Sequence, residues 1–366
     1  MDTTSALQRP SFRTGLLNVL KRDRYIYAVI FLLFVATSAV GYLYGLENRV
    51  KFFVYAKLFA GASVLTFIVI FIGYFFVLAK NQVPRPTLTI LRKGRDVLTN
   101  WPEVIGLLLM MSALTVFMSS FTSLKVMIPL INPYEYDVAF ADIDRFLHFG
   151  IDPWKITHAV FNTPFLTGVV NFFYNLWFFL FWTVWVYFLV RLKPEHDRQQ
   201  YLISFILSWM IIGGVFAIFL SSAGPCYYAH LIDTPDPFAA LMDRLYEQRL
   251  WIETNDSYPP LWALDTQNML WDNYMAEETA VGSGISAMPS MHLSVATMMA
   301  LGMYRISRFW GYVFWVYVAM IQIGSVHLAW HYAIDGYVSI ILTIIIWKIV
   351  GRFTKPGQGK VIAKAQ

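Results

Sequence analysis

Eight stretches of mostly apolar residues run through this chain, at 25–45, 52–79, 104–124, 166–190, 201–220, 289–306, 309–328 and 331–350. A helix needs about 20 such residues to cross the hydrocarbon core of a bilayer. Within lipid every backbone N–H and C=O must be satisfied inside the chain, which favours helices for segments of this length. The sequence therefore predicts an all-α polytopic membrane protein with about eight transmembrane helices. The first stretch is too long for a signal-peptide core and lacks a small-residue cleavage site, so it reads as a retained span. Composition excludes the soluble classes: of 366 residues 57% are hydrophobic and only 14% charged, where soluble chains carry about 25% charge. No nucleic-acid partner is expected, and the single Cys226 cannot close an intramolecular disulfide.

Charge placement orients the spans. Of the 28 Lys and Arg residues, 20 fall in one set of alternate connections: 1–24, 80–102, 191–199, 305–308 and the tail from Lys348. Seven fall in the other set, and Lys57, near the start of the second stretch, snorkels to the surface. The positive-inside rule then places both termini in the cytoplasm and the long 222–288 loop outside a cell (inner) membrane. Residues 139–160 mix apolar side chains with Asp142, Asp144, Arg145 and Asp152, the pattern of an interfacial amphipathic helix. The 222–288 loop is long for a bare connection, which suits a lid or binding loop.

Ionisable groups at membrane depth are costly and mark candidate functional sites. Four neighbourhoods carry them or flank them: Ser222–Tyr228, Met288–His292, Ser325–His327 and His331–Asp335. With the spans oriented as above, all four meet at the extracytoplasmic interface. His331 and Asp335 stand four apart and share a helix face. The carboxylate can fix the imidazole tautomer and leave the other nitrogen nucleophilic, so that attack on phosphorus would give a phosphohistidine. His292 is the candidate second histidine, protonating the leaving oxygen and then serving as base for the incoming hydroxyl. Pro289 suits the first helical position, leaving the N–H groups of Ser290, Met291 and His292 as an anion site at a helix N-terminus. The Ser290 hydroxyl is a further donor, and Pro225, Tyr227, Tyr228 and His327 complete the substrate-binding candidates. No metal site and no cofactor are expected.

These residues resemble the type-2 phosphatidic acid phosphatase superfamily. Pro289-Ser290-Met291-His292 is similar to its Pro-Ser-Gly-His motif, and His331-x3-Asp335 to the end of its Ser-Arg-x5-His-x3-Asp motif, with Gly324 and Ser325 standing where the family has Ser and Arg. The family's Lys-x6-Arg-Pro motif is read as absent. In its place the segment 223–228 looks like the Pro-rich segment of the inositol phosphorylceramide synthase branch, and 284–292 resembles bacterial relatives of that branch. The resemblance covers about residues 140–350 and implies His331 as nucleophile, His292 as the proton-transferring histidine and Asp335 as its support. It implies a six-helix phosphatase-like core at 126–352, preceded by an N-terminal tail and additional helices at 1–125 and followed by a basic cytoplasmic tail at 353–366.

A phosphodiester carries one negative charge where a monoester carries nearly two, so the missing cations tilt the expected reaction. The first expectation is transfer of a phosphorylated headgroup from a phospholipid donor to a lipid acceptor at the bilayer. The second is hydrolysis of a lipid phosphate, such as phosphatidate or a polyprenyl diphosphate, by the same residues. The third, from another class, is a lipid transporter or scramblase built around Gly213-Gly214 and the clustered histidines. Arg244, Arg249, Arg145 and Lys155 are the candidates to replace the family's cations from loops.

Overall fold

The computed structural model describes residues 11–191 and 194–355, which contain helices and no strand. In chain order the helices are α1 (Phe12–Leu43), α2 (Ala56–Lys80), α3 (Pro86–Leu98), α4 (Trp101–Ile131), α5 (Asp137–Leu147), α6 (Pro153–Val160), α7 (Pro164–Val190), α8 (Glu195–Met210, carried on to Phe219 by a π-helical segment Ile211–Phe216), α9 (Ala239–Thr254), α10 (Trp262–Met275), α11 (Met291–Ile306), α12 (Arg308–His327) and α13 (Ala333–Thr354). A helix stands at each of the eight apolar stretches. Six of them, α1, α4, α7, α8, α12 and α13, are long and apolar enough to cross a bilayer. The other two are α2, with 25 residues, and α11, with only 16, about 24 Å at the standard rise. Residues 1–10, and the part of the expected basic tail from 356 onward, lie outside the described residues.

Local chemistry sets several boundaries differently from the hydropathy pattern. The Ser11 side chain accepts from Thr14 N–H and starts α1 well before its apolar stretch, so the basic segment up to Arg24 is helical too. Helix α4 runs past Leu124 to Ile131 and carries Lys125 into its last turns. The expected amphipathic helix at 139–160 is two helices, α5 and α6, separated by a turn in which Phe149 and Gly150 take φ of 59° and 84°. The outer loop contains α9 and α10, and α3 forms in the basic connection before α4.

Lipid tails are as apolar as leucine, so helix association here rests on close packing and interhelical hydrogen bonds. Helix α11 is the hub, packed against α7, α8, α12 and α13. The side chains from Leu293 to Ala300 are all buried, as expected for a helix surrounded by others. Ser294 Oγ meets Thr343 Oγ1 of α13 at 2.8 Å, and Thr37 Oγ1 donates from α1 to Ser120 O of α4 at 3.3 Å.

Charges tie together the end of the bundle where α1, α4 and α8 begin. Arg198 and Asp23, each 1% exposed, pair at 2.5 Å, and Gln199 reaches the same carboxylate. Arg22 pairs with Glu103 at 3.0 Å and Arg305 with Asp197 at 3.0 Å. The amide of Gln200 donates to Trp347 O and brings the end of α13 to the same place. His292, His327 and His331 lie at the opposite end.

Candidate active site

The loops bearing the four motifs are hydrogen-bonded to one another. Ala287 N donates to Ser222 O at 2.9 Å, Met288 N to Ser222 Oγ at 3.0 Å, Cys226 N to Ala329 O at 2.9 Å, and Ser290 N to Asp335 O at 3.3 Å. Two glycines permit the crossings. Gly224, at φ +91°, passes so close to Trp330 O that a Cβ would stand 3.0 Å away. Gly284, at φ +95°, lies against the backbone of Lys125 and Val126, where a Cβ would also meet atoms at 3.0 Å.

His331 occupies the turn before α13, and its Nδ1 lies 3.1 Å from Asp335 Oδ2. The same carboxylate oxygen accepts the N–H of Tyr332 at 3.1 Å, so Asp335 caps the helix as it orients the ring. The backbone of Ala287 acts on the ring as well. His292 is the second residue of α11. Its imidazole stacks on Tyr174 at 4.8 Å and tilts against Trp177 at 4.6 Å, while Trp177 Nε1 donates to the His292 carbonyl at 3.0 Å. The two imidazole centroids are 6.0 Å apart with planes at 65°. That gap matches a tetrahedral phosphate taking a hydrogen bond or an attack of about 3 Å from either side. Both rings border a cavity of about 350 Å³ that runs into the bundle.

Behind the dyad, α5 supplies two buried carboxylates that the amphipathic pattern did not single out as supports. Asp144 accepts the first N–H groups of α13, from Ala333 at 2.6 Å and Ile334 at 2.9 Å. Asp137 accepts from Ala223 N and Gly224 N, both at 2.9 Å, and from Tyr332 OH at 2.8 Å. Burial pushes both carboxyls above their ordinary range, and the N–H donors partly offset it. One interfacial helix thereby fixes both the His331 turn and the 222–225 turn.

Lys125 is the cavity-lining cation that the sequence reading missed. It lines the cavity, acts electrostatically on both imidazoles, and has no carboxylate within ion-pairing distance among the described residues. Counting it as a loop charge hid it, because α4 extends beyond the apolar stretch. A signal was available: Lys125 is followed, after six intervening residues, by Asn132-Pro133, the spacing of Lys-x6-Arg-Pro with asparagine in the arginine position. Asn132 donates to Ile218 O at 2.8 Å and ties α4 to the end of α8.

A sequence profile of the PAP2 superfamily, the type-2 phosphatidic acid phosphatases, matches residues 138–349, more than half of the chain. The chain belongs to the PAP2 superfamily. No curated protein and no solved structure gives a match. As a PAP2 protein it is an enzyme of the phosphatase or phosphotransferase type. The superfamily's basic residues are only partly replaced. Ser325 stands in the arginine position, fully buried, with its carbonyl taking the N–H groups of Trp330 and His331.

None of the four loop cations expected as replacements borders the cavity of this PAP2 enzyme. Arg145 and Lys155 pair with Asp152, Arg249 with Glu253 and Asp265, and Arg244 donates to Asn162 O. Of the substrate-binding candidates, Met291 and Tyr227 line the cavity, the latter with its hydroxyl donating to Gln267 O. Four others do not. Ser290 is the N-cap of α11, its Oγ accepting from Leu293 N–H, so Pro289 precedes the helix and only Met291 and His292 keep N–H groups free of partners among the described residues. Pro225 is buried in a one-turn helix, and Tyr228 faces Thr234. His327 is fully buried, bonded to Thr167 at 2.9 Å and Thr157 at 3.3 Å, and stacked on His158 at 3.7 Å. It fills the space between α6, α7 and α12.

Proposed function

We propose that this PAP2 enzyme moves a phosphorylated headgroup from a phospholipid to a lipid alcohol, in the manner of inositol phosphorylceramide synthases, through a phosphohistidine at His331. The reaction takes place at the extracytoplasmic face, a placement that rests on the Lys and Arg distribution. One observation carries the reading: two imidazoles from separate helices stand 6.0 Å apart over a cavity that also holds an unpaired lysine.

Asp335 holds the Nδ1 proton of His331 and leaves Nε2 as nucleophile. Nε2 bonds to the phosphorus of the donor, and the bond to the diacylglycerol oxygen breaks. His292 gives that oxygen a proton and is left as a base. The hydroxyl of the acceptor then loses its proton to His292 and attacks phosphorus, which breaks the P–N bond and restores both histidines. The Lys125 ammonium compensates the single charge of a phosphodiester and the further charge that builds in each transition state. The free N–H groups of Met291 and His292 point the start of α11 at the same anion.

The test uses purified protein with a phospholipid labelled in its headgroup, with and without ceramide or diacylglycerol. The expected result is a new labelled phospholipid only when a lipid alcohol is present, an acid-labile label on wild-type protein, and neither in His331→Ala. Free phosphate or phospho-headgroup formed equally with and without the alcohol would replace transfer by hydrolysis. Lipid movement that persists in His331→Ala and His292→Ala without chemistry would overturn the enzymatic reading of the site.

A further inference from the structure

The matched region begins at residue 138, yet one wall of the catalytic cavity comes from earlier in the chain. Tyr55 and Phe59 on the α2 side and Met118, Phe121 and Lys125 on α4 all line it. The cavity is polar at one end only. Lys125, His292 and His331 stand near the helix ends, whereas Phe121 and Met118 lie one and two turns deeper on α4, about 6 and 10 Å by the helical rise. Helix α7 repeats the gradient, with Trp177 beside His292 and Phe181 a turn below. Gly213, in the π-helical segment of α8, keeps the opposite wall thin. A Cβ there would come within 2.8 Å of Phe121 and 3.0 Å of the Met291 sulfur.

A cavity with a cationic, imidazole-lined mouth and an aromatic interior fits an amphiphile whose anionic head stays at the mouth. A second, apolar groove of about 390 Å³ lies between α2, α4 and α7, lined by Ala56, Ala60, Leu107, Met111 and Val186 among others. Phe59 borders both spaces. Its ring is 3% exposed and wedged 4.8 Å from Trp182 and 5.5 Å from Tyr55, so it stands as the partition between them.

We propose that the apolar arm of the cavity binds one hydrocarbon chain of the lipid whose phosphate sits between His292 and His331, and that Phe59 and Met118 set the chain length accepted. This rests on the phosphotransfer reading above and names its substrate as a long-chain amphiphile gripped by helices outside the matched region. A chain longer than the arm meets Phe59 and passes into the second groove only if that ring gives way. Shortening Phe59 joins the two spaces, and enlarging Met118 blocks the arm.

The full-length protein is assayed with donor phospholipids of graded chain length, read as the ratio of kcat/KM for long over short chains. Phe59→Ala raises that ratio and Met118→Trp lowers it, each by about tenfold, the scale on which hydrophobic pockets discriminate size. Phe59→Leu gives a smaller shift in the first direction and guards against misfolding in the alanine variant. Equal changes at all chain lengths, or shifts of the same sign in both variants, overturn the proposal. A phospholipid with a photoreactive group at its chain end supplies a readout independent of turnover. It labels the segments around Phe59 and Met118, and competing long-chain phospholipid, but not the free phospho-headgroup, removes the label. Labelling elsewhere overturns the chain site. Labelling at these segments without any phosphoryl transfer retains the chain site and rejects the catalytic reading.

Discussion

Two cations at opposite ends of the bundle, Arg198 and Lys125, are treated in opposite ways. Where α1, α4 and α8 begin, the buried Arg198 meets Asp23, with the more exposed pairs Arg22–Glu103 and Arg305–Asp197 beside it. At the other end Lys125 faces two imidazoles and no acid, and Asp335 is turned away onto His331. Removing a charge from water costs several kcal/mol unless a partner repays it. The first is therefore compensated within the folded chain, whereas the second is left over a cavity with no carboxylate beside it among the described residues, which is where the proposed anion would sit. Charge that is paired holds helices together; charge left unpaired over a cavity defines what the cavity takes.

The sharpest break of that contrast is at the dyad. His292→Ala removes the proposed proton carrier and is expected to lower turnover by roughly 10²–10⁴-fold with little change in melting temperature, because the ring stacks on Tyr174 and Trp177 with no hydrogen bond from its nitrogens to the described residues. Steady-state rates and a thermal scan on the same preparation check both halves. A loss of rate matched by a loss of fold would mean that the ring is packing alone.

Exchanging the same experiment between the two ends separates them next. Lys125→Met is expected to cost roughly 10²–10³-fold in turnover, the scale of losing one preorganised electrostatic contact, while the protein melts no lower than wild type. Arg198→Met does the reverse. It leaves the buried Asp23 with only the 3.3 Å contact from Arg22 and the Gln199 amide, and destabilises the protein by about 3 kcal/mol. Replacing Asp23 by leucine as well restores most of that stability. If Lys125→Met destabilises as Arg198→Met does, the lysine is a structural cation and the contrast fails.

A smaller effect is expected behind the site. Asp144→Asn replaces a carboxylate that accepts from Ala333 and Ile334 with an amide that can accept from only one of them. Leaving one buried N–H unpaired costs about 1–3 kcal/mol. Much of that falls on the turn holding His331, so kcat is expected to drop by about tenfold at nearly constant KM. Asp144→Glu, which keeps both acceptors, should recover part of the loss.

What the sequence made legible follows from length scales. Spans of some twenty apolar residues are a signal spread over many positions, and helices occur at all eight stretches. His331 and Asp335 were readable because four residues on a helix bring two side chains to one face, and they meet at 3.1 Å. Lys125 was lost for a local reason: hydropathy ends a span where the first charge appears, whereas the α4 backbone continues to Ile131 around a lysine that faces a cavity. Asp137 and Asp144 were lost because amphipathicity reads an acid as solvent-facing, and here backbone N–H groups from other loops replace the solvent. For Ser290 and His327 adjacency in sequence says nothing of where a side chain turns, and neither borders the cavity. One caps a helix and the other packs on His158.

That packed pair allows the finest test, since it stands at the catalytic end yet follows the logic of the compensated one. His158 lies on α6, outside the spans, with its Nε2 against His327 O at 2.9 Å and its ring 3.7 Å from that of His327. Burial first, and then the charge of Arg244, hold its pKa down at about 4, against the pull of the His327 carbonyl. The folded state thus keeps the ring neutral where the unfolded chain, with an ordinary value near 6.5, takes up a proton. The stability linked to His158 is fully present above about pH 6.5 and is lost as pH falls from there toward 4, because the unfolded state binds more protons throughout that window. Asp137 and Asp144, raised by burial, act with the opposite sign, so the informative quantity is a difference. Subtracting the melting profile of His158→Gln from that of wild type should give a curve that is flat above pH 7 and falls by several degrees between pH 6.5 and 4. A curve flat across the whole range would mean that the pair is hydrated and titrates freely, and would move it from the packed side of the comparison to the open one.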